Sequence, residues 1–414
     1  MLLRDWKEYR LSKGEKGMKN RREEMISNAN NYFDTSLMTV ILVAAGISKR
    51  FALGNKMFYP IDGKSVFEKS LRFFLERGFN VVVAASKDVR RCFEGVFKAH
   101  FVDGGRERKD SVYNALKEVE TEYVLIHDAA RCFVNDRVLN GIIESLNFIN
   151  DEVCAVPAVG VADTVRVTED NLEGPEERMT GKWFDRRKVW LVQTPQAFKT
   201  RRLKELIKAE KLSTGLITDE AFLFEKAGFK VILTQGDSKN VKITHVQDIY
   251  GKWKVVEERM LFAEDVHRVR EGGSGLKLAG IDVAKDLEFI AHSDGDVVLH
   301  AVTEALLSMW GLDLGEVYPA SRVEKGIDSS KLLEPVINEL WLAGWVVLDV
   351  RVQVETNAMK LARFREKMRA NLAYMLGVLE ENVSVTFLSG NGVGEEGRGE
   401  AVRAKVFLRV GRVV

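Results

Sequence analysis

The stretch MTVILVAAGISKRF, residues 38–51, sets the fold. Its first half is an almost unbroken apolar run, the pattern of a strand buried on both faces. It ends in Ala44, Ala45 and Gly46, residues small enough to let a ligand approach the backbone. Working outward, KSVFEKSLRFFLERG (64–78) has helical apolar spacing and stops at Gly78. FNVVVAAS (79–86), EYVLIHDAA (122–130), VCAVPAV (153–159), KVWLVQTP (188–195) and FKVILTQG (229–236) read as further strands, most separated by helical stretches. Strands alternating with helices predict an α/β domain, a Rossmann-like, mostly parallel sheet covered on both faces. Ligands of such sheets bind beyond the carboxyl ends of the strands.

The segment VQDIYGKWKVVEER (246–259) is predicted to be helical and to close this domain. A second, smaller α+β domain follows, with a strand at 260–267 and helices near 294–310 and 363–377. Strands near 345–354, 382–388 and 401–410 complete it. Asp265-Val266-His267 is expected to end the first of these strands. The predicted division is 1–37, 38–257 and 259–414, with no Pro- or Ser-rich linker, so the two domains are expected to abut. Residues 1–37 are charged, of mixed sign and poor in periodic apolar positions, and are read as a poorly ordered extension or as chain upstream of a natural start at Met38.

Composition narrows the function. Lys+Arg total 62 against Asp+Glu 61, a net charge of +1, which argues against a surface built for nucleic acid. Apolar runs such as VVVAA (81–85) fall far short of the ~20 residues that cross a bilayer, so no membrane association is expected. Three scattered cysteines without a C-x-x-C pair fit a reducing cytoplasm and argue against both a disulfide framework and a cysteine metal site.

Two groups of residues carry chemistry. In the first, the loop after the first strand adds Arg50 and Lys56, and backbone N–H groups there can cradle phosphates. FVDGGRERKDSV (101–112), IHDAAR (126–131), VADTVR (161–166), FDRRKVWLVQTPQAF (184–198), ITDEA (217–221) and NVKIT (240–244) follow, several just past a predicted strand. The second group is AHSDGDVVLH, 291–300, with Asp265-Val266-His267 upstream. Ser293-x-x-Asp296 reads as a capping box that starts a helix. Asp265, His267 and His300 equally read as one oxygen and two nitrogen ligands of a metal with an open fourth position. Spacing alone leaves both readings open.

The motifs of region 38–257 resemble the cytidylyltransferases of the methylerythritol phosphate route to isoprenoids, a nucleotidyltransferase family that joins CTP to 2-C-methylerythritol 4-phosphate with Mg²⁺. The resemblance implies that Arg50 and Lys56 stabilise the α-phosphorus, with Lys49 as the alternative lysine. It implies that Ala44, Ala45 and Gly46 form the phosphate loop, and that Gly104, Gly105, Arg108 and Ser111 hold the cytosine and ribose. Asp128 and Arg131 would lie at the metal and substrate. Arg186, expected from a partner subunit, and Lys242 would hold the sugar phosphate, with Thr164, Thr218 and Asp219 lining the pocket. This chain departs from the family in Ser48, which replaces a loop glycine, and in Asn55-Lys56-Met57-Phe58.

Region 259–414 resembles 2-C-methylerythritol 2,4-cyclodiphosphate synthase, in which a substrate phosphate attacks the β-phosphorus of its own CDP group and CMP leaves. The resemblance implies that Asp265, His267 and His300 bind Zn²⁺ or another divalent metal. It also implies that His292, Ser293, Asp296, Asp313, Lys360 and Arg398 contact substrate. Here too the chain departs: Asn391 stands where that family has the glutamate of its second metal. The order of the halves is similar to the natural fusion of these enzymes, and implies dimeric contacts in the first half, trimeric contacts in the second and cytoplasmic residence. Two alternatives stay open: a ribitol-phosphate cytidylyltransferase, and a second half that only oligomerises.

Overall fold

The computed structural model of the chain describes residues 34–46, 48–168, 180–210 and 219–414. The extension expected at 1–37 lies outside these up to residue 33, as does Thr218. The rest divides into two compact units, one holding residues up to 46 together with 69–242, the other 47–68 together with 243–414.

The first unit is built on an eight-stranded sheet. Met38–Ala44 lies in it between Asn80–Ala85 and Tyr123–Asp128 and is parallel to both. His100–Asp103 continues one side in parallel. On the other side Gln196–Lys199 runs antiparallel to Tyr123–Asp128, and Val153–Gly160 beyond it pairs in parallel with Lys230–Gln235. The predicted strands are all present. Val40, Ile41, Leu42, Val124, Leu125 and Ile126 are fully buried, as a strand covered on both faces requires. Val112, Leu116, Phe198, Leu203 and Phe224 pack over one face. Cys92, Cys132 and Cys154 are buried, and none of them is in a disulfide.

The second unit carries a five-stranded sheet in the order Leu287–Phe289, Val255–Glu271, Ala401–Val413, Trp345–Glu355, Val383–Leu388. Val297–Leu307, buried over nearly its whole length, packs on the two long central strands. That fits a helix apolar on every side. Ser330–Leu342, unforeseen from the sequence, and Arg365–Leu376 complete this unit's helices of ten or more residues.

Three local readings are corrected. Residues 246–259 are not a helix: a single 3-10 turn spans Val246–Asp248, Gly251 adopts φ +73°, and a strand begins at Val255. The apolar spacing there suits either periodicity, and pairing with Ala401–Val413, about 150 residues on, decides for the strand. The Asp265–His267 strand does not end there but runs on to Glu271. The helix after AHSDG is capped by Asp296 rather than Ser293. Among the described residues no helix is long and apolar enough to cross a membrane.

Candidate functional site

In the first unit the sheet brings one group of predicted residues to the carboxyl end of the central strands. Asp128 ends its strand, with Lys242 Nζ 2.9 Å from Oδ2 and Arg108 Nε 3.0 Å from Oδ1. Burial opposes ionisation, but Arg108, Lys242 and Arg131 hold this carboxyl far below the ordinary carboxylate range. Arg108 also donates to both oxygens of Glu220, at 2.7 and 2.8 Å. Glu220 is 2% exposed, and burial raises its pKa even beside the guanidinium. Sequence reading passed over Glu220, although it directly follows Asp219 in ITDEA. Arg131 donates to the carbonyls of Asn240 (2.9 Å) and Val192 (3.3 Å), and its buried Nε has no partner. Asp219 accepts from Gln196 Nε2 at 2.9 Å and from Phe222 N in the first turn of the Ala221–Lys226 helix.

The glycine loop is there for close approach. A Cβ on Gly104 would sit 2.1 Å from the Ala45 side chain, and one on Gly105 would sit 2.1 Å from that of Asp110. Only glycine lets this loop lie against the end of the first strand. Buried Ser111 pins it, its Oγ accepting from Gly105 N at 3.0 Å and donating to Glu107 O. Ala44 is buried, Ala45 half-buried and Gly46 exposed, so the chain emerges to solvent along these three residues. Thr164 and Arg186 are exposed, and Arg186 donates to Ala162 O. Arg50 is exposed; Lys56 donates to Ile243 O at 2.8 Å.

In the second unit the predicted metal ligands converge. Asp265 and His267, two apart on one strand, point the same way, and His300 meets them from the helix. Asp265 Oδ2 lies 3.0 Å from His300 Nδ1 and 3.2 Å from His267 Nε2. The three donor atoms fall within 4.8 Å of one another. Bonds of about 2.0–2.1 Å to a tetrahedral ion give donor–donor edges of roughly 3.3–3.5 Å, close to the two Asp265–histidine distances, so the set suits a divalent metal. The Asp265 carboxyl is held well below its ordinary range: burial raises it, but the adjacent imidazoles of His267 and His300 outweigh burial. His300 Nε2 meets two hydroxyls, Ser293 Oγ at 3.0 Å and Ser329 Oγ at 3.1 Å.

Asp296 requires a correction. Read as a substrate contact, it is fully buried, and its oxygens accept from the backbone N–H groups of Ala279, Gly280, Val298 and Leu299. It has no face left for a ligand. Exposed His292 contacts Val323 O, exposed Asp313 caps Leu314–Val317, and Lys360 is exposed. Arg398 is paired with Glu400 at 2.9 Å. Asn391 is exposed in a left-handed turn (φ +48°) and accepts from Ser389 Oγ at 3.0 Å. Among the described residues, no second cluster of three such ligands occurs.

Comparison with known proteins agrees with both halves. The family model of 2-C-methyl-D-erythritol 4-phosphate cytidylyltransferase (IspD) matches residues 38–255, and that of the YgbB family matches 259–410. The bifunctional enzyme IspD/IspF of Anaeromyxobacter dehalogenans is 34% identical over 375 residues, 88% of this chain and 95% of that protein. That of Wolinella succinogenes is 30% identical over 398 residues, 91% of this chain and 97% of its own length. The solved structure of the bifunctional IspDF from Campylobacter jejuni is 28% identical, covers 91% of this chain and 98% of its own, and has a TM-score of 0.50. The chain belongs to the bifunctional IspD/IspF family, a cytidylyltransferase half followed by a cyclodiphosphate synthase half in isoprenoid precursor biosynthesis.

Proposed function

We propose that the two activities run on the residues assembled above. In the first half, CTP and 2-C-methylerythritol 4-phosphate give CDP-methylerythritol and pyrophosphate. Negative charge grows on the α-phosphate oxygens as the sugar phosphate attacks, and fixed cations aimed at it lower the barrier. Arg50 and Lys56 supply that charge. The Gly104–Gly105 loop, Ser111 and Arg108 hold the nucleotide, Lys242 and an Arg186 supplied by a partner subunit hold the sugar phosphate, and Arg131, Thr164 and Asp219 line the pocket. Asp128 offers a carboxylate to the Mg²⁺ that accompanies CTP. The observation carrying this reading is the Arg108–Asp128–Lys242 cluster at the strand ends.

In the second half, CDP-methylerythritol 2-phosphate cyclises and releases CMP. Asp265, His267 and His300 would hold Zn²⁺, which when bound polarises a phosphate oxygen. His292, Ser293, Asp313, Lys360 and Arg398 orient the substrate so that its 2-phosphate faces the β-phosphorus. The converged Asp-His-His set carries this reading.

The domains divide at 257–259 by this account, and the enzyme works in the cytoplasm as a homo-oligomer on small molecules. Exposed Trp183, Phe184, Trp190 and Leu191 in the first half support a dimeric contact. Exposed Met260, Phe262 and Phe407 on one sheet face support a trimeric one in the second. The test is CMP release from CDP-methylerythritol 2-phosphate with Zn²⁺ and Mg²⁺ present, beside CDP-methylerythritol formation from CTP. Release abolished by His300→Ala is expected. No release, from protein that still uses CTP, would refute the second-half assignment and leave a cytidylyltransferase with a structural partner domain.

A further inference from the structure

We infer that Ser329 and Asp294 are positioning residues that lock His300 in the one tautomer able to bind a metal through Nδ1; this rests on the metal-site reading above. Neither residue is a ligand. Ser329 is fully buried, at the start of the Ser330–Leu342 helix. Its Oγ lies 2.5 Å from Asp294 Oδ1 and 3.1 Å from His300 Nε2. Asp294 Oδ1 is fixed in turn by the backbone N–H groups of Ser329 (3.3 Å) and Asp296 (3.4 Å).

Counting hydrogens settles the direction. A serine hydroxyl has one hydrogen, and an ionised carboxylate only accepts. The Ser329 hydrogen is therefore committed to Asp294. Toward His300 the Ser329 oxygen has only a lone pair to offer, so Nε2 must carry the imidazole hydrogen. A neutral imidazole has one N–H, so Nδ1 then presents a lone pair to Asp265 Oδ2, 3.0 Å away. Two lone pairs at that distance repel unless a cation lies between them. Ser293 Oγ, 3.0 Å from Nε2, accepts from Gly295 N and keeps a second lone pair that can face an Nε2–H. The chain Asp294–Ser329–His300 thus aims a metal-ready nitrogen at Asp265. Outer partners of this kind fix ring orientation and ligand basicity.

The test is Zn²⁺ affinity of the full chain, measured by competition with a chromophoric chelator and without substrate. Losing such a partner costs about 10–100-fold in metal affinity. Ser329→Ala and Asp294→Asn should each fall in that range, and Ser329→Thr, which keeps the hydroxyl, should recover most of the loss. Nitrogen-15 NMR of His300 should show the Nε2–H form in the wild type and a mixture in Ser329→Ala. His300→Ala separates two failures. If it binds Zn²⁺ like the wild type, the metal-site reading is wrong. If it loses Zn²⁺ while Ser329→Ala and Asp294→Asn do not, the site stands and the relay is overturned.

Discussion

Replacing Asp296 separates a structural brace from a substrate contact. Its carboxylate joins two elements: the first turn of the Val297–Leu307 helix and the two-residue turn Ala279–Gly280 between Leu276–Leu278 and Ile281–Ala284. Both turn residues have positive φ, Ala279 at +53° and Gly280 at +73°, as this hairpin turn requires. A left-handed alanine costs about 1–2 kcal/mol by itself, and the bond from Ala279 N to Asp296 Oδ1 at 3.0 Å offsets this. Asp296→Ala removes an N-cap, costing about 0.5–2 kcal/mol. It also strands the N–H groups of Ala279 and Gly280, at about 1–3 kcal/mol each. These costs are not additive, and a central expectation is about 4 kcal/mol. Asp296→Asn keeps one acceptor oxygen for three of the four donors and turns an NH₂ toward Gly280 N, so about 2 kcal/mol is expected. The assay is urea unfolding of the second-half transition, with CMP release measured on the folded fraction. A drop in turnover without a change in the unfolding midpoint would refute the brace and restore Asp296 as a ligand contact.

Two further predictions concern the first half. His127 is fully buried between Thr194 Oγ and Arg131 O, and burial pushes its pKa down from 6.5 to about 4. The unfolded chain thus binds the extra proton first, so stability is fully present above about 6.5 and falls as pH drops toward 4, by about 3 kcal/mol in all. Urea midpoints of the first-half transition across that interval should slope in the wild type and flatten in His127→Gln; equal slopes would exclude this histidine as the cause. Glu220→Gln should cost about 3 kcal/mol, the low end for breaking a buried ion pair, because Arg108 keeps Asp128. With Arg108 no longer braced, KM for CTP should rise more than kcat falls, and an unchanged KM would show that Glu220 does not position the nucleotide site.

Much of the chemistry was legible in the chain itself. MTVILVAAG reads as a doubly buried strand because its apolar run has no polar face, and that alternation with helices defines the first domain. DVH and the AHSDGDVVLH stretch held the residues of the candidate metal site, because residues two apart on a strand share a side, although spacing alone left a capping reading equally open. What sequence could not supply are relations between distant residues. Whether 255–271 is strand or helix depends on Ala401–Val413, which pairs with it only after the chain has folded. Asp296 looks like any acid in a ligand-rich motif until the Ala279–Gly280 turn is seen delivering two N–H groups to it. Glu220 meets Arg108 from 112 residues away, and Ser329 meets His300 from 29 away. Side-chain type and local period determine what a residue can do. Burial and the direction of each hydrogen bond, which only tertiary packing sets, determine which of those things it does.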